Sequence, residues 1–159
     1  MKMGNAFKLV VSIVACECAG LIGAIFTTGA ISTWYATLQK PAFTPPNWLF
    51  APAWTTLYLL MGIAAFIIWR KGFSDRQVRL ALLLFCIQLV LNILWSVVFF
   101  GLKTPLYGLV VIILLWVAIL ITILRFRKIS VAAAWIMVPY ILWVSFATAL
   151  NAGVLILNP

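Results

Sequence analysis

The chain has 159 residues, 67% of them hydrophobic and 8% charged, and a mean hydropathy of +1.23; a soluble domain is about half apolar and about a quarter charged, and one this small cannot hide so much apolar surface. The composition is that of an integral membrane protein. The net charge of +9 would point to nucleic acid in a soluble chain, but these basic residues fall between apolar stretches, where they act as topology signals.

A membrane span needs about 20 mostly apolar residues, and five stretches qualify. They run over about 8–30, 52–69, 78–100, 105–126 and 130–157. The expectation is an all-α, five-helix transmembrane bundle in one domain, 1–159, with a long loop between helices 1 and 2. Lys2, Lys8, Arg70, Lys71, Arg76, Arg79, Arg125, Arg127 and Lys128 then share one side, and only Lys40 and Lys103 the other. The positive-inside rule puts the N-terminus in the cytoplasm and the C-terminus outside.

In the first span, Ile13-Val14-Ala15-Cys16 fits the pattern before a lipid-modified cysteine. Apolar sequence continues well past Cys16, as in an uncleaved membrane helix. Cys16 and Cys18 stand two apart and so face different directions on a helix, which makes them packing residues rather than a metal or redox pair. Glu17 is the one acid inside a span, and no basic partner for it is evident. Small residues recur at four-residue spacing: Ala15, Ala19 and Gly23, with Gly20 and Ala24 beside them, and Ser145, Ala149 and Gly153 in the fifth span. Such rows bring helix backbones close, within the bundle or across a dimer.

The connection from Ile31 to Ala51 carries two Trp, a Tyr, a Phe and three Pro in Thr33–Trp48. Disordered segments are poor in aromatics and proline fixes the backbone, so a folded lid is expected, with an interfacial aromatic belt as the alternative. Beyond it, each of three helices carries a stripe that mixes large aromatics with small or polar residues. These are Trp54, Tyr58 and Met61 or Gly62; Asn92, Trp95, Ser96 and Phe99; and Pro139, Trp143, Phe146, Ala147, Leu150 and Asn151. Polar residues at membrane depth face the bundle interior or a cavity, so the stripes point inward and, with the lid, outline a cavity for a flat apolar ligand. Pro139 is expected to kink the fifth helix. The absence of histidine removes His-based triads, His-ligated metal and His-ligated haem, and neither a metal nor a cofactor is expected.

The run Trp34-Tyr35-x-x-Leu38-x-Lys40-Pro41-x-x-Thr44-Pro45-Pro46-x-Trp48 resembles the first-loop signature of the translocator protein family, the tryptophan-rich sensory proteins of bacteria and the peripheral benzodiazepine receptor of mitochondria. The likeness continues through Pro52-x-Trp54-x-x-Leu57-Tyr58-x-x-Met61-Gly62, Leu91-Asn92-x-x-Trp95 to Phe99-Phe100-Gly101, and Pro139-Tyr140-x-x-Trp143-x-x-Phe146-Ala147-Thr148-x-Leu150-Asn151. The resemblance implies a five-helix bundle, commonly a homodimer, that binds porphyrins, sterols and drug-like ligands under the first loop. Positions matching the family pocket are Tyr35, Leu38, Trp54, Tyr58, Asn92, Trp95, Ser96, Phe99, Trp143, Phe146, Ala147 and Leu150. The implied function is a receptor or carrier for protoporphyrin IX or a related tetrapyrrole, in contact with membrane lipid and with no nucleic-acid partner. The alternative is light- and oxygen-dependent porphyrin breakdown, in which Trp54 and Trp143 match the implicated tryptophans. A guess from charge alone pairs Lys40 with a propionate at the mouth. Leu150-Asn151 is followed by Ala152-Gly153-Val154-Leu155, without the aromatic and Arg of the vertebrate cholesterol motif, so sterol recognition by that motif does not carry over. The short apolar C-terminus points to a prokaryotic cell membrane.

Overall fold

The computed structural model describes residues 4–159; Lys2, counted above among the topology charges, lies outside them. Helix α1 spans Asn5–Ser32, and a single turn, α2, spans Trp34–Thr37. A 3-10 turn at Asn47–Leu49 leads into α3, Phe50–Trp69. Helix α4, Arg76–Ser96, runs on into a π-helical turn at Val97–Gly101. Then come α5, Pro105–Ile129, α6, Val131–Ile136, and α7, Val138–Leu157. The five helices long and apolar enough to cross a membrane, among the described residues, are the five expected spans, and the protein is a multi-pass integral membrane protein.

The helix limits have local causes. Asp75 caps α4, its carboxylate accepting from the Gln77 N–H at 2.8 Å. Pro105 stands in the first turn of α5, where a missing N–H costs nothing, and Arg127 and Lys128 in its last turn suit the helix dipole. The fifth span breaks at Met137, two residues before Pro139, so the expected kink separates α6 from α7. The long loop is shorter than its sequence suggests. Helix α1 extends to Ser32, Trp34 and Tyr35 sit on α2, and only residues 38–46 are irregular. Aromatic and β-branched residues there hide the helical signal, and burial of Tyr35 supplies what propensity does not.

Each span packs chiefly against two others: α1 on α3 and α4, α4 on α5, α5 on α6 and α7, and α6 on α3. This closes a ring in the order first, second, fifth, fourth, third span. Its axis is filled by fully buried Met61, Ile68, Ile112, Leu115, Ile119, Phe126, Tyr140 and Val144. Outward positions such as Leu21, Ile25, Val90, Leu142 and Ile156 are exposed, as lipid-facing residues are. Thr122, Ser145 and Thr148 hydroxyls donate to carbonyls one turn back at 2.7–2.8 Å, which satisfies them without water.

The small-residue rows split. On α1 the buried stripe is Ser12, Cys16, Ala19 and Gly23, while Ala15 and Ala24 are exposed. The expected Ala15–Ala19–Gly23 row therefore loses its first member, because Ala15 is rotated about 100° from Cys16. Cys16 is buried and packs as expected, but Cys18 is exposed; two positions apart on a helix they face different ways, so only one of them can pack in the bundle. On α7, Ser145 and Ala149 face outward, and only Gly153 makes a close approach, with Pro41 of the loop filling the space a Cβ would take.

Candidate ligand-binding site

Helices α1 and α3 meet most tightly at Gly62, where an added Cβ would come within 2.7 Å of the Ile13 Cα. One turn toward the loop, the Tyr58 ring fills the notch left by Gly20. Above that point the helices part and leave a cleft of about 320 Å³. Its foot is Glu17 and Tyr58, and its upper end is Ile31 and Asn47. Trp54, Thr55 and Phe50 of α3 form one wall, Gly23, Thr27 and Thr28 of α1 the other, and Trp95, Ser96 and Phe100 the back. The exposed side chains of Leu21, Ala24 and Thr28 leave its flank open toward lipid.

Of the residues the sequence singles out, Trp54, Tyr58, Trp95 and Ser96 line this cleft. Trp54 is the hub, its ring 5.7 Å from Tyr58, 6.2 Å from Trp95 and 6.3 Å from Tyr140. Trp95 stacks on Phe99 at 5.7 Å, and Phe99 meets Trp34 at 5.6 Å and Tyr35 at 6.4 Å. Tyr35 and Phe99 are therefore buried packing behind the cleft wall, not lining, and burial holds the Tyr35 phenol above its usual range.

Asn92 does not reach the cleft. Its Oδ1 accepts from the Tyr58 hydroxyl and its Nδ2 donates to the Tyr140 hydroxyl at 2.9 Å. Tyr140 donates in turn to Gln88 Oε1 at 2.9 Å. A second set ties α4, α5 and α7 together: Trp95 Nε1 donates to Asn151 Oδ1 (3.2 Å), and Asn151 Nδ2 to the Pro105 carbonyl (2.8 Å). These bonds hold the Tyr58 and Trp95 rings in place at the cleft wall.

Trp143 and Phe146 form a second aromatic group, 5.7 Å apart, under the loop. Phe43 of the loop meets Phe146 at 6.2 Å, and Phe50 meets Trp143 at 6.2 Å. The Trp143 indole N–H is the one fully buried side-chain polar atom among the described residues that has no hydrogen-bond partner. Phe50 touches both groups, lining the cleft on one side and packing on Trp143 on the other. Ala147 and Leu150 are buried on α7 away from the cleft, and Leu38 is packed against the core.

The loop is tied down at its start, at Gln39 and Lys40. Lys40 Nζ donates to the carbonyls of Tyr35 (2.8 Å) and Leu38 (3.0 Å) and lies 4.9 Å from the Tyr35 ring centroid. The guess that it meets a propionate is corrected here, because its ammonium already caps α2. Asn158, just past α7, clips the adjoining residue: Gln39 N–H donates to its Oδ1 (3.0 Å) and its Nδ2 to the Gln39 carbonyl (2.9 Å). Sequence reasoning missed Phe50, Thr27, Thr28, Thr55 and Asn47 as lining. The hydroxyls within spans were the available signal, since polar groups at depth mark cavities.

A closed ring of five spans with an aromatic-walled cleft under a clipped, proline-rich loop defines a membrane protein built around an internal apolar site. Residues 12–157 match the TspO/MBR family, and the chain belongs to it. It is 48% identical over 155 residues to the tryptophan-rich protein TspO of Archaeoglobus fulgidus, covering 97% of this chain and 99% of that one. It is 42% identical over 146 residues to protein CrtK of Rhodobacter capsulatus, covering 92% and 89%. Its identity to the human translocator protein is 37% over 132 residues, covering 82% and 78%.

Proposed function

We infer that the protein is a membrane receptor or carrier for flat hydrophobic ligands, with protoporphyrin IX or a related tetrapyrrole foremost. The observation that carries this reading is the unpartnered Trp143 N–H, buried beside Phe50 at the edge of an aromatic-walled cleft. A buried donor without an acceptor costs about 1–3 kcal/mol, a cost that a ligand acceptor relieves. The cleft alone, at about 320 Å³, is at the small end of ligand pockets, which run from about 300 to 1,000 Å³. A tetrapyrrole needs a larger space, made when Phe50 swings aside and opens the cleft toward Trp143. Trp54 and Trp95 then offer ring faces to the macrocycle, and the clipped loop keeps water out. The names of the relatives, a sensory protein of Cereibacter sphaeroides and the translocator proteins among them, fit a sensing or carrying role. The Arg and Lys residues at the ends of α3, α4 and α5 support a cytoplasmic location for that end, with the loop outside.

The test is a titration of detergent-purified protein with protoporphyrin IX in the dark, read by quenching of Trp fluorescence. Saturable quenching is expected, weakened at least tenfold in Trp143→Leu and strengthened in Phe50→Ala. Equal affinity in wild type and Trp143→Leu sinks the reading. A second reading, light- and oxygen-dependent breakdown of the bound porphyrin, is favoured by the contacts of Trp54 with three aromatic rings. Illuminating the same samples decides it: bleaching that persists unchanged in Trp54→Phe and Trp143→Phe removes these tryptophans from any chemistry.

A further inference from the structure

The foot of the cleft holds a group that the tetrapyrrole reading does not use. Glu17 lies near the middle of the 28-residue helix α1, at the deepest point of the cleft. A carboxylate at that depth is expensive unless something pairs with it. Among the described residues none does. Lys8 is nine residues, or about 14 Å, further along α1, with its ammonium over the Trp69 ring at 6.0 Å. Lys40 is spent on the loop carbonyls, and the other basic residues sit at or beyond helix ends. Partway up the cleft, the Ser96 hydroxyl beside Gly23 also has no hydrogen-bond partner among the described residues.

From Glu17 to Ile31 the cleft climbs 14 residues of α1, about 21 Å. Apart from Ser96, its threonines and Asn47 it is walled above Glu17 by apolar and aromatic side chains, and it lies open to lipid along one flank. The complement of that shape is a slender amphiphile with one cationic head and a long or narrow apolar body. We propose that the α1–α3 cleft binds lipophilic amines, with the ammonium on Glu17, a hydrogen bond to Ser96 where the body allows one, and the body lying along Trp54 and Trp95. Each charge offsets the cost of desolvating the other. A neutral alcohol of the same body gains only one hydrogen bond at that carboxylate. A porphyrin propionate is repelled by it, so the amine site stands apart from the tetrapyrrole reading although the two share a wall.

The experiment uses the full chain in nanodiscs of phosphatidylcholine, which carries no net charge to attract the probe. The probes are 12-bromododecylamine and 12-bromododecanol, whose bromine quenches Trp fluorescence. Saturable quenching by the amine is expected, at least tenfold weaker for the alcohol and for Glu17→Gln. Glu17→Gln keeps the side-chain shape, and its fold is checked by its unfolding midpoint and its helical circular dichroism. No saturable quenching by the amine, equal affinity for the alcohol, or unchanged amine affinity in Glu17→Gln overturns the proposal. Amine binding retained in Trp143→Leu while protoporphyrin binding is lost separates the two sites; loss of protoporphyrin binding in wild type alone fells only the tetrapyrrole reading.

Discussion

Tyr140→Phe removes one oxygen from the centre of the bundle, and its cost can be worked from the bonds around it. The Tyr140 hydroxyl accepts from Asn92 Nδ2 and donates to Gln88 Oε1, each at 2.9 Å. All three residues are at most 1% exposed, so water cannot replace either bond. Hydrogen bonds between membrane helices average about 0.6 kcal/mol each when measured by cycles, which sets a floor near 1.2 kcal/mol for the pair. Leaving a buried polar group unpaired costs about 1–3 kcal/mol, and two such groups are created, although relaxation recovers part of the loss. The expected destabilisation is about 2–3 kcal/mol. It is measured by reversible unfolding in mixed micelles of increasing dodecyl sulfate content, followed by Trp fluorescence. Gln88→Leu in the Tyr140→Phe background should cost less than in wild type, with a coupling of at least about 0.5 kcal/mol. A single-variant effect under about 0.5 kcal/mol, or strict additivity, refutes the reasoning that this network is both dry and satisfied.

Gly20→Ala places a Cβ within 2.5 Å of two atoms of the Tyr58 ring, and should destabilise by about 1–3 kcal/mol as the ring is driven from its place; Gly29→Ala, which meets nothing within 4 Å, should be neutral or stabilise by about 0.5–1 kcal/mol in the same assay. Asn158→Ala removes both bonds to Gln39, a loss of about 1–2 kcal/mol, so amide exchange across residues 38–46 should quicken about tenfold or more. Unchanged exchange there would mean that Pro41 against Gly153 holds the loop by itself. Lys40→Met strips the charge-assisted bonds from the end of α2, and should speed chymotryptic cleavage after Phe43, which is already 56% exposed.

The reach of the sequence differed from one feature to the next. The five spans are a matter of local composition, since each must supply about 20 apolar residues whatever surrounds it. The stripe Asn92–Trp95–Ser96–Phe99 was legible as an inward face because helical period and polar cost both act within one helix; all four residues are buried. What each inward residue meets was not legible. Asn92 had the same pattern whether it faced a ligand or two tyrosines, and the fold gave it the tyrosines. Trp54 and Trp143 carry the same family resemblance on two different helices, yet Phe50 packs on Trp143 and lines the cleft beside Trp54.

By itself, then, the sequence determined the membrane, the number of spans, the buried faces of α3 and α4, the kink before Pro139, and the inward face of α7 except for Pro139, which is exposed because the buried face there runs through Tyr140. The tertiary structure alone decided the order of helices in the ring, the cleft between α1 and α3, and the position of Glu17 at its foot. The physical reason is that hydropathy and helical period are properties of one segment at a time. The gap between two helices depends on where small residues on both come into register, and here Gly62 against Ile13 and Gly20 against Tyr58 set where α1 and α3 touch, and so where they part.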